Sequence, residues 1–276
     1  GRPPVSVGVT SSGDVYGGTT ISFGDVLGDQ QFNFFVASIA QYRTMSLGWV
    51  NLSRRFQWAL QGYSQTQFFF GQQQGVFYDP TLAPFISRDL ATATRTVQGA
   101  TAIGTYPLDR YRRLEFSGGL LKLKEQYNDA SLGDLATQYQ QQRFGTQVFR
   151  NGTMLPLTAA FVQETTVFRE FGPLAGSTLR FAYDVAPKIG SALSRQTFDG
   201  DARYYKRLAT SGVLALRLRG FKSKGDYPDF LYFGGNSEMR GYDYLQFAGH
   251  NVVFANAELR LDRKSTRLNS SHIPLS

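Results

Sequence analysis

Apolar and polar side chains alternate one by one through segment after segment of this chain, and that rhythm limits what it can fold into. Leu214, Leu216 and Leu218 interleave with Ala215, Arg217 and Arg219, and Val253, Ala255, Ala257 and Leu259 with Asn256, Glu258 and Arg260. Phe56, Trp58 and Leu60 interleave with Gln57, Ala59 and Gln61, and Leu179, Phe181, Tyr183 and Val185 with Arg180, Ala182 and Asp184. A period of two sends successive side chains to opposite faces of a β-strand. One face is then plain hydrocarbon and the other charged, which suits a wall with lipid outside and water inside. A one-residue slip would invert the faces, so the expectation is sharp. The Leu214 and Val253 sets should meet lipid, while Arg217, Arg219, Asn256, Glu258 and Arg260 should point inward. The fold class expected is all-β, an antiparallel transmembrane β-barrel.

The alternation predicts twelve strands, over residues 5–10, 17–24, 30–40, 43–52, 55–64, 94–105, 112–126, 153–168, 177–186, 196–207, 212–221 and 250–261. Around Leu120-Leu121 the pattern slips by one position, which predicts a bulge. Connections after even-numbered strands are short, and the three long ones, 65–93, 127–152 and 222–249, all follow odd-numbered strands. Outer-membrane barrels sort their connections this way, with tight turns periplasmic and long loops outside. The glutamine tracts at 72–74 and 138–142 read as solvated, mobile loop.

The last long connection carries Phe233-Gly234-Gly235-Asn236-Ser237-Glu238-Met239-Arg240-Gly241-Tyr242. The Gly-Gly pair lets the chain fold back at torsions other residues resist, and Arg-Gly-Tyr presents a guanidinium on a closely packed backbone. This segment resembles the inward-folded loop of the bacterial surface antigen superfamily, the barrels of BamA-type outer-membrane assembly factors and two-partner-secretion transporters. The resemblance implies that Gly234, Gly235, Met239, Arg240, Gly241 and Tyr242 form a loop inside the lumen. Arg240 would fork onto Glu258, with Arg217, Arg219, Asn256 and Arg260 as the surrounding lumen-facing network. It implies sixteen strands with the loop after the eleventh, so residues 1–261 would be a partial barrel of about twelve.

The turn Asp25-Val26-Leu27-Gly28-Asp29 resembles that of superfamily barrels preceded by a β-propeller instead of polypeptide-transport repeats. One of those periplasmic modules is therefore expected upstream. The short first strand, followed by Ser11-Ser12-Gly13, is consistent with a weakly paired seam. The partners implied are outer-membrane lipid and unfolded outer-membrane or secreted polypeptides, and the function implied is their insertion or translocation in the bacterial outer membrane.

Residues 262–276, from Asp262-Arg263-Lys264-Ser265-Thr266-Arg267-Leu268 onward, look like a translated sequencing-library adapter and are set aside from the fold. With no initiator Met before Gly1, the chain is expected to be cut at both ends. The formal charge of +8 falls to +6 without Asp262, Arg263, Lys264 and Arg267. The remaining cations sit on alternate strand positions or beside turns, which argues against nucleic acid as a partner. No apolar run of about 18 residues exists, which excludes a membrane-spanning helix but not barrel strands of about 9–11 residues. The 23 Phe and 15 Tyr cluster near strand ends, as interface girdles do.

Catalysis finds little support. His250 is the one histidine outside the adapter-like tail, and it reads as an interfacial polar residue rather than a general base. Asp199, Asp201 and Arg203 form an alternating charged face that reads as a hydrated wall rather than an acid–base pair. Without cysteine or a histidine pair, no metal-ligand spacing occurs, and neither metal nor cofactor is expected. The alternatives are a barrel that conducts solutes or displays loops and, more distantly, an outer-membrane hydrolase.

Overall fold

The computed structural model describes residues 5–9, 15–39, 42–70, 92–145, 151–169, 172–209, 212–235 and 238–261. In chain order the strands are β1 (Val5–Val9), β2 (Val15–Gly24), β3 (Gln30–Ile39), β4 (Tyr42–Asn51), β5 (Gln57–Phe70), β6 (Thr92–Pro107), β7 (Arg112–Tyr127) and β8 (Gly152–Met154). They continue with β9 (Leu157–Glu164), β10 (Val167–Arg169), β11 (Gly172–Ala186), β12 (Arg195–Ala209), β13 (Gly212–Gly225), β14 (Leu231–Phe233), β15 (Phe247–Gly249) and β16 (Asn251–Leu261). One antiparallel sheet runs β1-β2-β3-β4-β5-β6-β7-β9-β11-β12-β13-β16, with β8 and β10 as short additions and β14–β15 as a separate hairpin. The path holds twelve strands, the number the alternation predicts.

The two faces differ as the period requires. Leu216, Leu218, Val253 and Leu259 stand on an exposed face, and Arg217, Arg219, Phe254, Asn256 and Glu258 on the opposite one. Phe116, Leu120, Phe181 and Phe198 continue the exposed apolar face on β7, β11 and β12. Among the described residues the inner face holds two small cores. Leu123, Met154, Ala186 and Leu193 form one, and Phe221, Val252 and Phe254 the other. No described helix is long and apolar enough to cross a membrane, which says nothing of crossing by strands.

Several expectations need correction. The bulge at Leu120-Leu121 is absent, because β6 and β7 pair without a register shift from Ala93↔Tyr127 to Pro107↔Arg113. What changes there is the chemistry of the two faces. Leu121 and Leu123 turn inward onto the first core while Lys122 and Lys124 face out. The expected eighth strand is three pieces, β8, β9 and β10: Pro156, with no N–H for a ladder and its carbonyl accepting from Gly119 N at 3.0 Å, parts β8 from β9, and Thr165-Thr166 part β9 from β10. The strands β5 and β6 run further toward the long loop than expected.

The glutamine run 138–142 is not loop but part of α1 (Ala130–Phe144), with Gln140 only 2% exposed. Asp129 caps its N-terminus by accepting from Ser131 N at 2.8 Å, and Gly145 closes it in the left-handed conformation. The tract at 72–74 and the tail 262–276 lie outside the described residues.

Candidate functional site: a loop docked on a charged wall

Register builds the wall. Pairing of Asp201 with Arg219 and of Arg203 with Arg217 sets carboxylates and guanidiniums side by side on the inner face of β12 and β13. Arg217 Nε and Nη2 donate to Asp201 Oδ1 and Oδ2 at 3.2 and 2.8 Å, the two-pronged geometry a guanidinium favours. Arg203 grips the same carboxylate at 3.2 and 2.8 Å, and Arg219 Nη1 lies 3.4 Å from it. Arg219 Nη2 also reaches Asp199 at 2.9 Å, and Arg180 Nη1 approaches Asp199 at 3.7 Å. Asp201 is 8% exposed. Two aspartates therefore face four arginines, and the wall has positive charge to spare.

The loop between β13 and β16 supplies the missing negative charge. Beyond Phe233 the chain reverses at Gly234 (φ 138°) and Gly235 (φ 84°). A Cβ on Gly234 would lie 2.5 Å from the Asp243 carbonyl oxygen, so only glycine fits. Gly235 then bridges Met239, whose N–H donates to the Gly235 carbonyl at 2.9 Å. This tight turn aims Glu238 at the wall. Its Oε1 lies 3.8 Å from Arg217 Nη2, its Oε2 accepts from Gly234 N at 3.2 Å, and its carbonyl accepts from Asn256 Nδ2. Phe233 stacks on Phe254 at 5.3 Å between ring centroids, and Tyr242 sits edge-on to Phe247 at 5.0 Å. Arg217 lies over the Phe254 ring at 5.3 Å and so joins the charged and aromatic contacts.

Arg240 reaches Glu258, the partner the resemblance implies. Its Nη2 approaches Glu258 Oε2 at 3.5 Å as a single contact, not a fork, and its side chain is 66% exposed. Glu258 is held more closely by Arg260 Nε at 3.0 Å. Arg217 and Arg219 serve Asp201 and Asp199 rather than Glu258. Sequence reasoning missed Glu238. The available signal was a loop carboxylate facing a wall whose strands carry more Arg than Asp.

A second tether holds the base of the loop. Asp226 accepts from Lys188 Nζ, from Ser194 N at 3.2 Å and from Ser194 Oγ at 2.9 Å. The Lys188 hydrogen bond, with help from Ser194, lowers the Asp226 carboxyl to about 2. Arg195 bridges Asp184 at 2.7 Å and Asp229 at 3.0 Å, and burial pushes Asp229 upward against the pull of Arg195. Burial also raises the Tyr227 hydroxyl to about 12. His250 packs against Phe230 at 4.2 Å between centroids. No group of three His, Cys, Asp or Glu side chains suited to a metal occurs among the described residues.

No family model matches the sequence, and no curated protein matches it as a relative. Solved structures do match by fold. BamA from Haemophilus ducreyi lacking POTRA domains 1-3 superposes with a TM-score of 0.58 at 13% identity, over 94% of this chain and 53% of that one. CdiB from Acinetobacter baumannii follows with a TM-score of 0.45 at 14% identity, over 94% of this chain and 45% of that one. The chain thus spans about half the length of either structure. Its fold is that of a BamA-type β-barrel, carried here by twelve strands on the main path.

Proposed function

We propose that this chain is barrel wall of a bacterial outer-membrane protein of BamA type, which assists the insertion or translocation of other outer-membrane or secreted polypeptides. The observation that carries this reading is the docked loop. Between β13 and β16 the chain folds back onto the inner face, stacks Phe233 on Phe254 and sets Glu238 against Arg217. A loop fixed on the inner wall fits a barrel that works at its strand edges. An exposed edge offers unpaired backbone groups to an incoming strand. The β1–β2 ladder is five residue pairs long, against eleven for β11–β12, which makes it the easier pairing to exchange.

The test is reconstitution of the purified protein in vesicles with an unfolded outer-membrane barrel as substrate. Appearance of the substrate's heat-resistant band should be faster than in empty vesicles. Ion conductance without any acceleration would favour a solute pore instead.

A further inference from the structure

We infer that the outward face of β4 to β7, at the end nearest the long loops, binds the phosphate-bearing headgroup of an anionic lipid in the adjoining leaflet. This rests on the barrel spanning a membrane, not on its handling polypeptides. Register defines the surface. Leu47, Gly62, Ala100 and Leu120 pair across four strands as one apolar outward row. One step toward the long loops the row is Met45, Ser64, Gln98 and Lys122, and the next adds Thr66, Thr96 and Lys124. Successive rows on one face are about 7 Å apart. Hydrocarbon therefore gives way to a polar, cationic surface within a single step, the change expected where strands leave the acyl region for the headgroups.

The surface is also shaped and charged for an anion. A groove of about 540 Å³ is lined there by Arg43, Lys122 and Lys124 together with hydroxyl and amide side chains. Gln98 Nε2 donates to Ser64 Oγ at 3.2 Å and the Thr66 and Thr96 hydroxyls are 3.1 Å apart, so the neutral donors are already ordered. No outward position of β5, β6 or β7 carries an acidic residue. The two acids on these strands, Glu115 and Glu125, face inward and pair with Arg113 at 2.7 Å and Arg95 at 2.8 Å. Lys122 and Lys124 are exposed neighbours on one face, and like charges so placed repel unless an anion lies between them. A lipid phosphate at headgroup depth supplies that charge, and the ordered hydroxyls and amides suit the sugar or glycerol oxygens beside it.

The experiment titrates the detergent-solubilised protein with lipid A bearing both phosphates and with the same lipid dephosphorylated, reading bound lipid by native mass spectrometry. The phosphorylated form should bind more tightly. At about five-fold per cation near a charged surface, Lys122→Gln with Lys124→Gln should weaken it roughly thirty-fold, and Arg43→Gln alone about five-fold. The Lys122→Arg, Lys124→Arg pair should retain binding, which separates charge from folding. Equal affinity for the two lipids, or undiminished binding by the double Gln variant, overturns the inference while leaving the membrane reading intact. Displacement by millimolar inorganic phosphate also overturns it, since that would mark a free-anion site. Binding of neither lipid by the folded, unaltered protein likewise overturns it.

Discussion

The two halves of the sheet solve the same problem differently. From β1 to β5 no described residue is buried, and the inner face is neutral, lined by Asn33, Gln57, Gln61, Gln65 and Gln67. From β11 to β16 the inner face carries Asp199, Asp201, Arg203, Arg217, Arg219 and Glu258 under a docked loop. Amides line the wall where no described segment docks on it. Paired charges concentrate where the wall holds the loop, and a guanidinium fixes both distance and angle there. The densest charge on this inner face thus lies under the loop, although β6 and β7 also carry the inward pairs Arg95–Glu125 and Arg113–Glu115.

The largest test of that contrast is Asp201→Asn. It leaves Arg203, Arg217 and Arg219 crowded without their carboxylate and should cost about 3 kcal/mol, less than a fully dry pair would. Gln61→Ala on the neutral half should stay within about 0.5 kcal/mol. Urea titration of the heat-modifiable band measures both, and equal losses would erase the distinction between the halves.

Next comes the loop itself. Glu238→Ala removes the carboxylate that meets both Arg217 and the Gly234 amide, and should destabilise docking by about 1–3 kcal/mol. Limited proteolysis within residues 226–249 should accelerate accordingly. Arg240→Ala should cost less than about 1 kcal/mol, as exposed single-contact ion pairs do. A double-mutant cycle on Arg240 and Glu258 should likewise give a coupling below about 1 kcal/mol. A larger coupling would return Arg240 to the role its motif suggests.

The smallest effect is a dependence on pH. Asp226 is lowered from 3.8 to about 2 in the folded chain, so its contribution is complete above its ordinary value and is lost as pH falls toward about 2. Hydrogen exchange at the Ser194 amide, which donates to Asp226, should speed up over that window. Asp226→Asn should abolish the dependence, and an unchanged profile in that variant would assign it to another group.

Much of the architecture was legible because a strand's period is local. The faces of Leu216, Leu218, Val253 and Leu259, the twelve-strand path and the glycine reversal at Gly234-Gly235 all follow from near neighbours in the chain. The helix α1 is also written locally, in its caps Asp129 and Gly145, although its polar glutamines have the composition of a loop. The slip at Leu120-Leu121 is visible in the sequence, but a sequence does not distinguish a shifted register from faces that exchange chemistry along an unshifted strand.

The partners of each charge belong to the tertiary structure. How Glu258 and Glu238 hold the loop depends on where a short turn aims its side chains relative to strands distant in the chain. That aim is set by the backbone torsions of Gly234 and Gly235 and by Phe233 stacking on Phe254. Which residues face inward is written along the chain, because alternation is a property of the backbone. Only the tertiary structure decided which of them meet, because an ion pair reaches just a few ångströms and registers accumulated over many strands set those distances.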